Sequence, residues 1–348
     1  MLKILLISQL GGYNLKVFII AEVAQAHEGS LGILHSYIDA LAGTGVDAIK
    51  FQIHIAEAES SKHEPFRVKF SYEDSTRYDY WKRMEFTLDQ WKEIKKHCDD
   101  VGLEFISSPF SNMAVDWLEE IGVQKYKIGS GEVSNFLMLE KIANTGKDII
   151  LSSGMSSFSE LDETVKFLKQ FNVKVSVLQC TTMYPTSAKD IGLNVIGELK
   201  DRYNLTVGLS DHSGTIYPSL SAVSLGAEIV EFHAVFDKNM FGPDSNSSLT
   251  IKEIRKLVAG VRFIKTSLNN KINKANSGRF KELKSIFEKS LAVNKDMKAG
   301  DIITFDDLES KKPLGYGILA KEYKSIIGKK LTKNLNKWEF LTKGDIDE

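Results

Sequence analysis

The chain has 348 residues, of which 43% are hydrophobic, 45 are lysine or arginine and 46 are aspartate or glutamate. This composition is typical of a globular protein, and the length suits one large domain and a small one. A formal net charge of −1 excludes the strongly basic balance of a nucleic-acid or membrane-surface protein. We therefore expect any anionic ligand to be bound by local charge.

The cysteines and the first residues indicate the compartment. Cys98 and Cys180 lack the spacing of a disulfide framework or a zinc knuckle, which fits a reducing cytoplasm.

The opening MLKILLISQL is apolar but contains Lys3 and precedes GGYNLK rather than a cleavage site, so it predicts a leading strand or an over-long gene start. No later stretch approaches the ~20 apolar residues that span a bilayer. We expect a soluble, cytoplasmic protein that binds no membrane and no nucleic acid.

From Val17 onward, short apolar runs rich in β-branched residues alternate with amphipathic helical windows. The predicted strands cover residues 18–24, 48–54, 103–110, 125–132, 148–155, 175–181, 206–212 and 229–236, and helical windows follow them, for example at 31–45, 88–102 and 135–146. Eight such units in about 250 residues predict a (β/α)₈ barrel of the α/β class. A doubly wound open sheet is the alternative, but AQAHEGS after the first strand is not its glycine-rich phosphate turn.

Composition divides the chain into three predicted regions. A barrel catalytic domain covers 1–270, a polar linker 271–284, and a small domain of short strands and tight turns 285–348. Because so short a domain has a marginal core, we expect it to dock on a barrel mouth, of its own chain or of a partner. The insertion at 55–87, rich in charge and aromatic residues, is consistent with a lid and equally with a partly packed, solvated loop.

Polar residues occur at the carboxyl ends of all eight predicted strands, where barrels carry their active sites. In strand order they are Glu28; Lys50 and Gln52; Ser107 and Ser108; Lys127, Ser130 and Glu132; Ser152 and Ser153; Thr181, Thr182 and Tyr184; His212; and His233. Glu28 and Glu132 are candidate general acids or bases, or else solvated loop carboxylates.

Two histidines, His212 and His233, end neighbouring predicted strands. Either one alone is more often a hydrogen-bonded core histidine than a metal ligand. As a pair, with Ser210, Asp211, Glu231 and Asp244 close in sequence, they favour a divalent metal. Two ligands predict an open, exchangeable ion completed by water and substrate rather than a structural zinc.

Two lysines, Lys50 and Lys127, interrupt apolar strands, where an unpaired charge would cost several kcal/mol. A barrel carboxylate such as Glu22, Glu132 or Glu231 would pair with them. A phosphate or carboxylate of a ligand, assisted by serine hydroxyls, is the alternative partner. The clustering of the lysines with serines favours the ligand.

Eight segments, in order along the chain, carry a family resemblance. They are AEVAQAHEGS (21–30), IKFQIH (49–54), SSPFS (107–111), YKIGSGE (126–132), ILSSGM (150–155), QCTTMYPT (179–186), GLSDHSG (208–214) and EFHAVF with FGPD (231–244). Together they resemble the sialic acid synthase family, and the C-terminal region resembles the antifreeze-like (SAF) domain of that family.

The resemblance implies a transferase that condenses phosphoenolpyruvate with N-acetylmannosamine or a close N-acyl hexosamine, giving a nine-carbon 2-keto sugar acid and phosphate. It also implies Mn²⁺ or Mg²⁺ and a domain-swapped homodimer. By position it implies His212 and His233 as metal ligands; Lys50, Ser108, Lys127, Ser130, Ser152, Thr182 and Ser210 as phosphoenolpyruvate-binding residues; Gln52, Glu132, Tyr184, Asp244 and Lys312 as sugar-binding residues; and Glu28 as the acid that handles water. Glu28, both lysines and both histidines form the predicted catalytic set.

Three positions depart from the family pattern. Thr182 and Ser108 replace the Asn and Thr of some members, which keeps a hydrogen-bonding group. Lys312 stands where sialic acid synthases commonly have an arginine directed toward the sugar N-acetyl group, and lysine does not reproduce that planar fork.

Synthases for legionaminate or pseudaminate, which start from 2,4-diacetamido-trideoxyhexoses, stay as alternatives. A metal-dependent aldolase and a non-catalytic sugar-binding barrel are further alternative functions. The sequence shows no basic cluster on the loops beyond the residues expected to bind phosphoenolpyruvate, which favours an unphosphorylated sugar.

Overall fold

The computed structural model describes residues 16–347, so the predicted leading strand lies outside the described residues. One compact unit ends at Asn270 and the other begins at Lys271. The strands are β1 (Phe18–Glu22), β2 (Ala48–Ile53), β3 (Glu104–Pro109), β4 (Lys125–Ile128), β5 (Asp148–Ser152), β6 (Val175–Cys180), β7 (Thr206–Asp211), β8 (Ile229–Val235), β9 (Leu249–Thr250), β10 (Ser290–Val293) and β11 (Leu308–Lys311). The α-helices are α1 (Leu31–Ala42), α2 (Ala56–Glu59), α3 (Arg77–Met84), α4 (Leu88–Asp100), α5 (Asn112–Ile121), α6 (Phe136–Ala143), α7 (Phe158–Leu168), α8 (Val195–Tyr203), α9 (Tyr217–Ser224), α10 (Ile251–Asn269) and α11 (Lys281–Phe287).

Strands β1 to β8 form a closed parallel barrel, which confirms the predicted (β/α)₈ fold. Each strand pairs with the next, and β1 also pairs with β8, with Glu22 opposite His233. The short β9 continues the sheet beside β8. The fourth predicted strand was too long: β4 ends at Ile128 because the chain turns at Gly129 into a short 3₁₀ helix, where the Glu132 N–H donates to the Gly129 carbonyl (3.0 Å).

Local side-chain chemistry sets where the helices begin and end. Helix α4 starts at a capping box, in which Thr87 Oγ1 accepts from the Gln90 N–H (3.2 Å) and Gln90 Oε1 accepts from the Thr87 N–H (2.8 Å). Helix α5 ends at Gly122, whose φ of +84° favours glycine. Such signals are readable from sequence, and helices α1, α4 and α6 lie within the predicted windows 31–45, 88–102 and 135–146.

Side-chain alternation along the strands builds two successive layers inside the barrel. The first is apolar and consists of Ile20, Ala48, Ile106, Ile150, Leu178 and Ile229. Two residues further along each of these strands, toward the carboxyl end, stand Glu22, Lys50, Ser108, Ser152, Cys180 and Glu231. With Lys127 of β4 and Ser210 of β7 they form what we call the polar layer, one residue from each strand. Because the layer is buried, every charge in it needs a partner.

The insertion at 55–87, called the 55–87 segment below, contains α2 and α3. Ala56, Tyr80, Trp81 and Met84 form a buried apolar cluster against which Phe66, Phe70 and Tyr78 pack. The segment is therefore a packed substructure rather than a fully solvated loop.

The second unit has its own apolar cluster, which includes Leu291, Val293, Ile303 and Leu341. Strands β10 and β11 pair antiparallel within it. The region 271–284, predicted as a polar linker, contains a 3₁₀ turn and the first residues of α11. Lys312 is exposed, with Nζ 4.9 Å from the ring centre of Phe287. Across residues 16–347, the helices are too short or too polar to cross a membrane.

Candidate active site

The two buried lysines pair with carboxylates of neighbouring strands. Lys50 Nζ lies 2.7 Å from Glu22 Oε1 and 3.4 Å from Glu231 Oε1. Lys127 Nζ lies 3.1 Å from Glu231 Oε1 and donates to Ser152 Oγ (2.7 Å). Of the three carboxylates suggested by the sequence, Glu22 and Glu231 thus pair with the lysines.

Burial and charge act in opposite directions on these groups. Burial disfavours the ionised form of Glu231, but the charges of Lys127 and Lys50 outweigh it and lower the pKa of the carboxyl. The same balance holds for Glu22, whose pKa is lowered by Lys50 although burial raises it. The pKa of Lys50 is raised, because the two carboxylates overcome its burial. Glu22, Glu231 and Lys50 of the polar layer are therefore ionised.

One oxygen of the polar layer has no hydrogen-bond partner within the described chain. Oε1 of Glu231 also accepts from Ser210 Oγ (3.0 Å), whereas Oε2 is buried and unsatisfied. Thr182 Oγ1 is a second buried polar atom without a partner among residues 16–347. Unsatisfied buried polar atoms are rare in folded proteins and are typical of a site that receives a ligand or water.

The histidine pair lies above the polar layer, with ring centroids 5.1 Å apart. His212 Nδ1 is 3.1 Å from the Thr181 carbonyl, which can only accept, so Nδ1 carries the proton and the Nε2 lone pair stays available. His233 Nε2 lies 3.1 Å from Glu22 Oε2. Within the part of the chain that the structure describes, no three His, Cys, Asp or Glu residues are placed to hold a metal. That the two histidines hold a divalent metal stays a prediction.

A cavity of about 530 Å³ opens beside His233 and is lined partly by predicted residues. These are Gln52, Ser130, Glu132, Thr182, Tyr184, His233 and Asp244. The other predicted residues of the barrel, which do not lie on its wall, are Glu28, Lys50, Ser108, Lys127, Ser152, Ser210 and His212. Most of them belong to the polar layer, which brings their side chains to the barrel interior. The volume suits a pair of small substrates.

Family models match both parts of the chain. Residues 37–273 match the model of the NeuB family, and residues 288–347 match that of the SAF domain. The chain belongs to the NeuB family. The family and the C-terminal SAF domain predicted from sequence are thereby confirmed.

Several curated relatives of this NeuB-family chain are sugar-acid synthases. It is 36% identical to the N,N′-diacetyllegionaminic acid synthase of Campylobacter jejuni, with 94% of this chain and 99% of the relative covered. It is 32% identical to the human N-acetylneuraminate-9-phosphate synthase (90% and 88% covered) and 32% identical to the pseudaminic acid synthase of Campylobacter jejuni (97% and 99%). The chain is therefore an enzyme of the synthase type.

Solved structures agree with the fold. The N-acetylneuraminic acid synthetase of Leptospira borgpetersenii, in complex with citrate, superposes with a TM-score of 0.68 at 31% identity, covering 77% of this chain and 90% of the other. A 3-deoxy-D-arabino-heptulosonate 7-phosphate synthase from Thermotoga maritima, at 12% identity and a TM-score of 0.55, shares the barrel fold.

Several cavity-lining residues of this NeuB-family enzyme were not predicted. Eight of them are Gln25, His54, Glu59, Glu64, Arg67, Arg77, Trp81 and Phe110. Five of the eight come from the 55–87 segment. Its charge and aromatic content indicated a role on the rim, but sequence spacing could not show which of its side chains reach the cavity.

Arg67 joins the 55–87 segment to the far side of the cavity. Its guanidinium lies 4.2 Å from the ring centre of Tyr184, and Nη2 lies 3.0 Å from Asp244 Oδ1. Both partners are predicted sugar-binding residues. The segment thus completes the wall at the position where the sugar is expected.

Glu28 is held beside the cavity rather than on its wall. Its backbone has φ +50°, its Oε2 lies 3.1 Å from Arg83 Nη1, and its buried Oε1 has no partner among the described residues. Burial raises the pKa of Glu28, and the hydrogen bond and charge of Arg83 partly oppose that shift. Arg83 is itself fixed by Asp74, 2.8 Å away. Burial likewise raises the pKa of Glu132, whose Oε2 accepts from Asn135 Nδ2 (2.7 Å).

Proposed function

We propose that the enzyme condenses phosphoenolpyruvate with an open-chain N-acyl hexosamine to give a nine-carbon 2-keto sugar acid and phosphate. The observation that carries this proposal is the pair of buried lysines in the barrel interior, each paired with a carboxylate, adjacent to a cavity lined by hydroxyl, amide and carboxylate groups. Membership of the NeuB family and the activities named for its relatives support it.

The lysines have donor capacity left for an anion. An ammonium group has three N–H donors. Lys50 uses two on Glu22 and Glu231, and Lys127 uses two on Glu231 and Ser152. Each therefore has one donor for the phosphate or carboxylate of phosphoenolpyruvate, assisted by the hydroxyls of Ser108, Ser130, Thr182 and Ser210. Burial strengthens such charge-assisted bonds.

The opposite part of the cavity suits a polyhydroxylated sugar. Gln52, Glu132, Tyr184 and Asp244 offer acceptors and donors for hydroxyl and amide groups. Holding both substrates in one cavity supplies the orientation that a C–C bond-forming step needs.

His212 and His233 would hold a divalent ion, Mn²⁺ or Mg²⁺. The Nε2 lone pair of His212 is available because Nδ1 is bonded to the Thr181 carbonyl, which is the tautomer that a ligand requires. Such an ion, when bound, acts as a Lewis acid on the sugar aldehyde.

In the proposed reaction the methylene carbon of phosphoenolpyruvate forms a bond to the aldehyde carbon, and the aldehyde oxygen takes up a proton from solvent. Water adds to the resulting cationic C2, and one of its protons passes to Glu28 as general base. The C2 hydroxyl of the tetrahedral intermediate then gives its proton to the departing phosphate as the C2 carbonyl forms and the C–O bond to phosphate breaks, with Lys50 and Lys127 neutralising the departing charge.

The first candidate for the sugar is N-acetylmannosamine. The second is a 2,4-diacetamido-trideoxyhexose, favoured by the lysine at position 312 and by the relatives that make legionaminic and pseudaminic acids. The exchange of SAF domains within a homodimer stays a prediction of the resemblance.

The test is phosphate release from phosphoenolpyruvate with Mn²⁺, offering N-acetylmannosamine, its 6-phosphate and the 2,4-diacetamido-trideoxyhexoses separately. We expect release with one unphosphorylated sugar and none after chelation. In ¹⁸O water the label should enter the keto acid and not the phosphate, since the C–O bond breaks. Label in the phosphate would contradict the mechanism, and no release with any sugar would contradict the function.

A further inference from the structure

His54, Glu59 and Gln25 form a buried group on the cavity wall to which the proposed mechanism gives no role. His54 is 4% exposed and lies between two aromatic rings, with Trp81 at 4.0 Å on one side and Phe110 at 4.7 Å. The interplanar angles of 15° and 8° make both contacts stacked. The imidazole can therefore use its nitrogens only in the plane of the ring.

A chain of hydrogen bonds connects this group to the polar layer. Glu22, paired with Lys50, accepts from Gln52 Nε2 (2.7 Å). Gln25 Nε2 lies 2.6 Å from Gln52 Oε1 and 2.8 Å from His54 Nε2. His54 Nδ1 lies 2.6 Å from Glu59 Oε1.

The direction of every bond in the chain follows from its first member. A carboxylate can only accept, so Gln52 must turn its amide nitrogen to Glu22 and its carbonyl to Gln25. Gln25 must then present its nitrogen to Gln52, and the second amide hydrogen meets His54. Nε2 of His54 also lies 3.2 Å from Gln52 Oε1, but its shorter contact is with the Gln25 amide nitrogen, which can only donate. His54 therefore accepts at Nε2 and carries its proton at Nδ1, facing Glu59. Both donors of Gln25 are used, and its carbonyl Oε1 is the group left over.

We propose that Gln25 is a further sugar-contacting residue, oriented by the His54–Glu59 pair so that its carbonyl oxygen accepts a hydrogen bond from a hydroxyl or N–H group of the sugar. Gln25 lines the cavity next to Gln52, and its amide cannot rotate without opposing two carbonyl or lone-pair acceptors. The site therefore selects a sugar with a donor at this point and disfavours one with a methyl or ether group there. His54 and Glu59 are positioning residues, since they act through Gln25. The inference rests on the proposed function.

The first test is Gln25→Leu, which keeps a similar volume and removes the acceptor. Losing one hydrogen bond to the sugar should raise the KM for the sugar about tenfold. The KM for phosphoenolpyruvate should not change. Gln124→Leu, at an exposed glutamine of the barrel, is the matched control and should leave both values unchanged.

The second test separates positioning from packing. His54→Phe keeps a ring between Trp81 and Phe110 but removes both nitrogens, so it should raise the KM for the sugar by itself. In a Gln25→Leu background it should add nothing, because its partner is already gone. His63→Phe, at an exposed histidine of the 55–87 segment, serves as its control. Additive effects of the two changes would show that His54 does not act through Gln25.

The outcomes distinguish this inference from the proposed function. Wild-type protein that releases phosphate, with a Gln25→Leu variant of unchanged KM for the sugar, overturns the inference alone. Wild-type protein that neither releases phosphate nor binds any of the sugars in calorimetry overturns both. A rise in the KM for phosphoenolpyruvate equal to that for the sugar would indicate general damage to the site, and would also count against Gln25 as a sugar contact.

Discussion

The polar layer and the 55–87 segment both bring charge to the site, but in different surroundings. Lys127 is 2% exposed and its partners are strand residues, so it has one arrangement and a large energetic cost if a partner is lost. The side chain of Arg67 is 40% exposed and contacts Tyr184 and Asp244 at the edge of the cavity. Exposed ion pairs contribute little to the free energy of unfolding, and their side chains rearrange readily. We infer that the layer carries the chemistry and the segment tunes the choice of sugar.

The largest expected effect is that of Lys127→Met. The substitution removes one of the two lysines that pair with the buried Glu231, so the free energy of unfolding should fall by about 3–5 kcal/mol. Phosphate release should fall by about a hundredfold or more. Lys125→Met on the same strand is the control, because Lys125 pairs with Glu104 where both side chains are partly exposed. It should cost less than about 1 kcal/mol. Denaturant unfolding and phosphate release measure both, and equal losses would contradict the contrast between buried and exposed charge.

Replacing His212 by Ala should abolish metal-dependent turnover while leaving sugar binding intact. The change removes one of the two proposed ligands, and the loss should be about a hundredfold or more. Turnover over a Mn²⁺ titration and sugar binding by calorimetry give the two readouts. His35→Ala is the control, since His35 pairs with His97 away from the cavity. Full activity of the His212 variant would exclude the histidine pair as the metal site.

Arg83 connects the 55–87 segment to the chemistry through Glu28. A general base works when deprotonated, so activity should fall as the pH drops through the pKa of Glu28, which burial holds above its usual value. Arg83→Met removes the group that lowers this pKa, so the acid limb of kcat/KM should move to higher pH. At a fixed pH on that limb, kcat/KM should fall by up to about tenfold. Glu28→Gln should remove the limb, and a limb that persists there would assign it to another group.

The smallest effect is expected from Arg67→Met. Losing a half-exposed pair with Asp244 and the contact with Tyr184 should change the KM for the sugar about fivefold and leave the midpoint of unfolding in place. Arg202→Met, which breaks an exposed pair with Asp162 on the outer helices, is the matched control. A destabilisation comparable to that of Lys127→Met would mean that the segment is as rigid as the barrel interior.

Much of the fold and part of the site could be predicted from sequence, because their signals are local. The eight strands begin within a residue of their predicted starts, since apolar runs and turn residues mark them. Seven predicted site residues line the cavity, because the ends of parallel strands meet on one rim. Gln25 and His54 were not predicted as site residues, although both stand inside quoted motifs. Their proposed role depends on a hydrogen bond between residues 29 positions apart, which no local pattern shows.

The sequence alone determined the number of strand–helix units and the alternation of side chains along each strand. That alternation directs lysines, glutamates and serines into the barrel interior. Those features depend on a period of two residues and on turn chemistry, which act over a few positions. Tertiary structure decided which partner each charge takes. Lys50 meets both Glu22 and Glu231 because closure of β1 against β8 brings together residues some two hundred positions apart. The same closure places His233 against Glu22, and the path of the 55–87 segment places Arg67 on Asp244, contacts for which no local pattern exists.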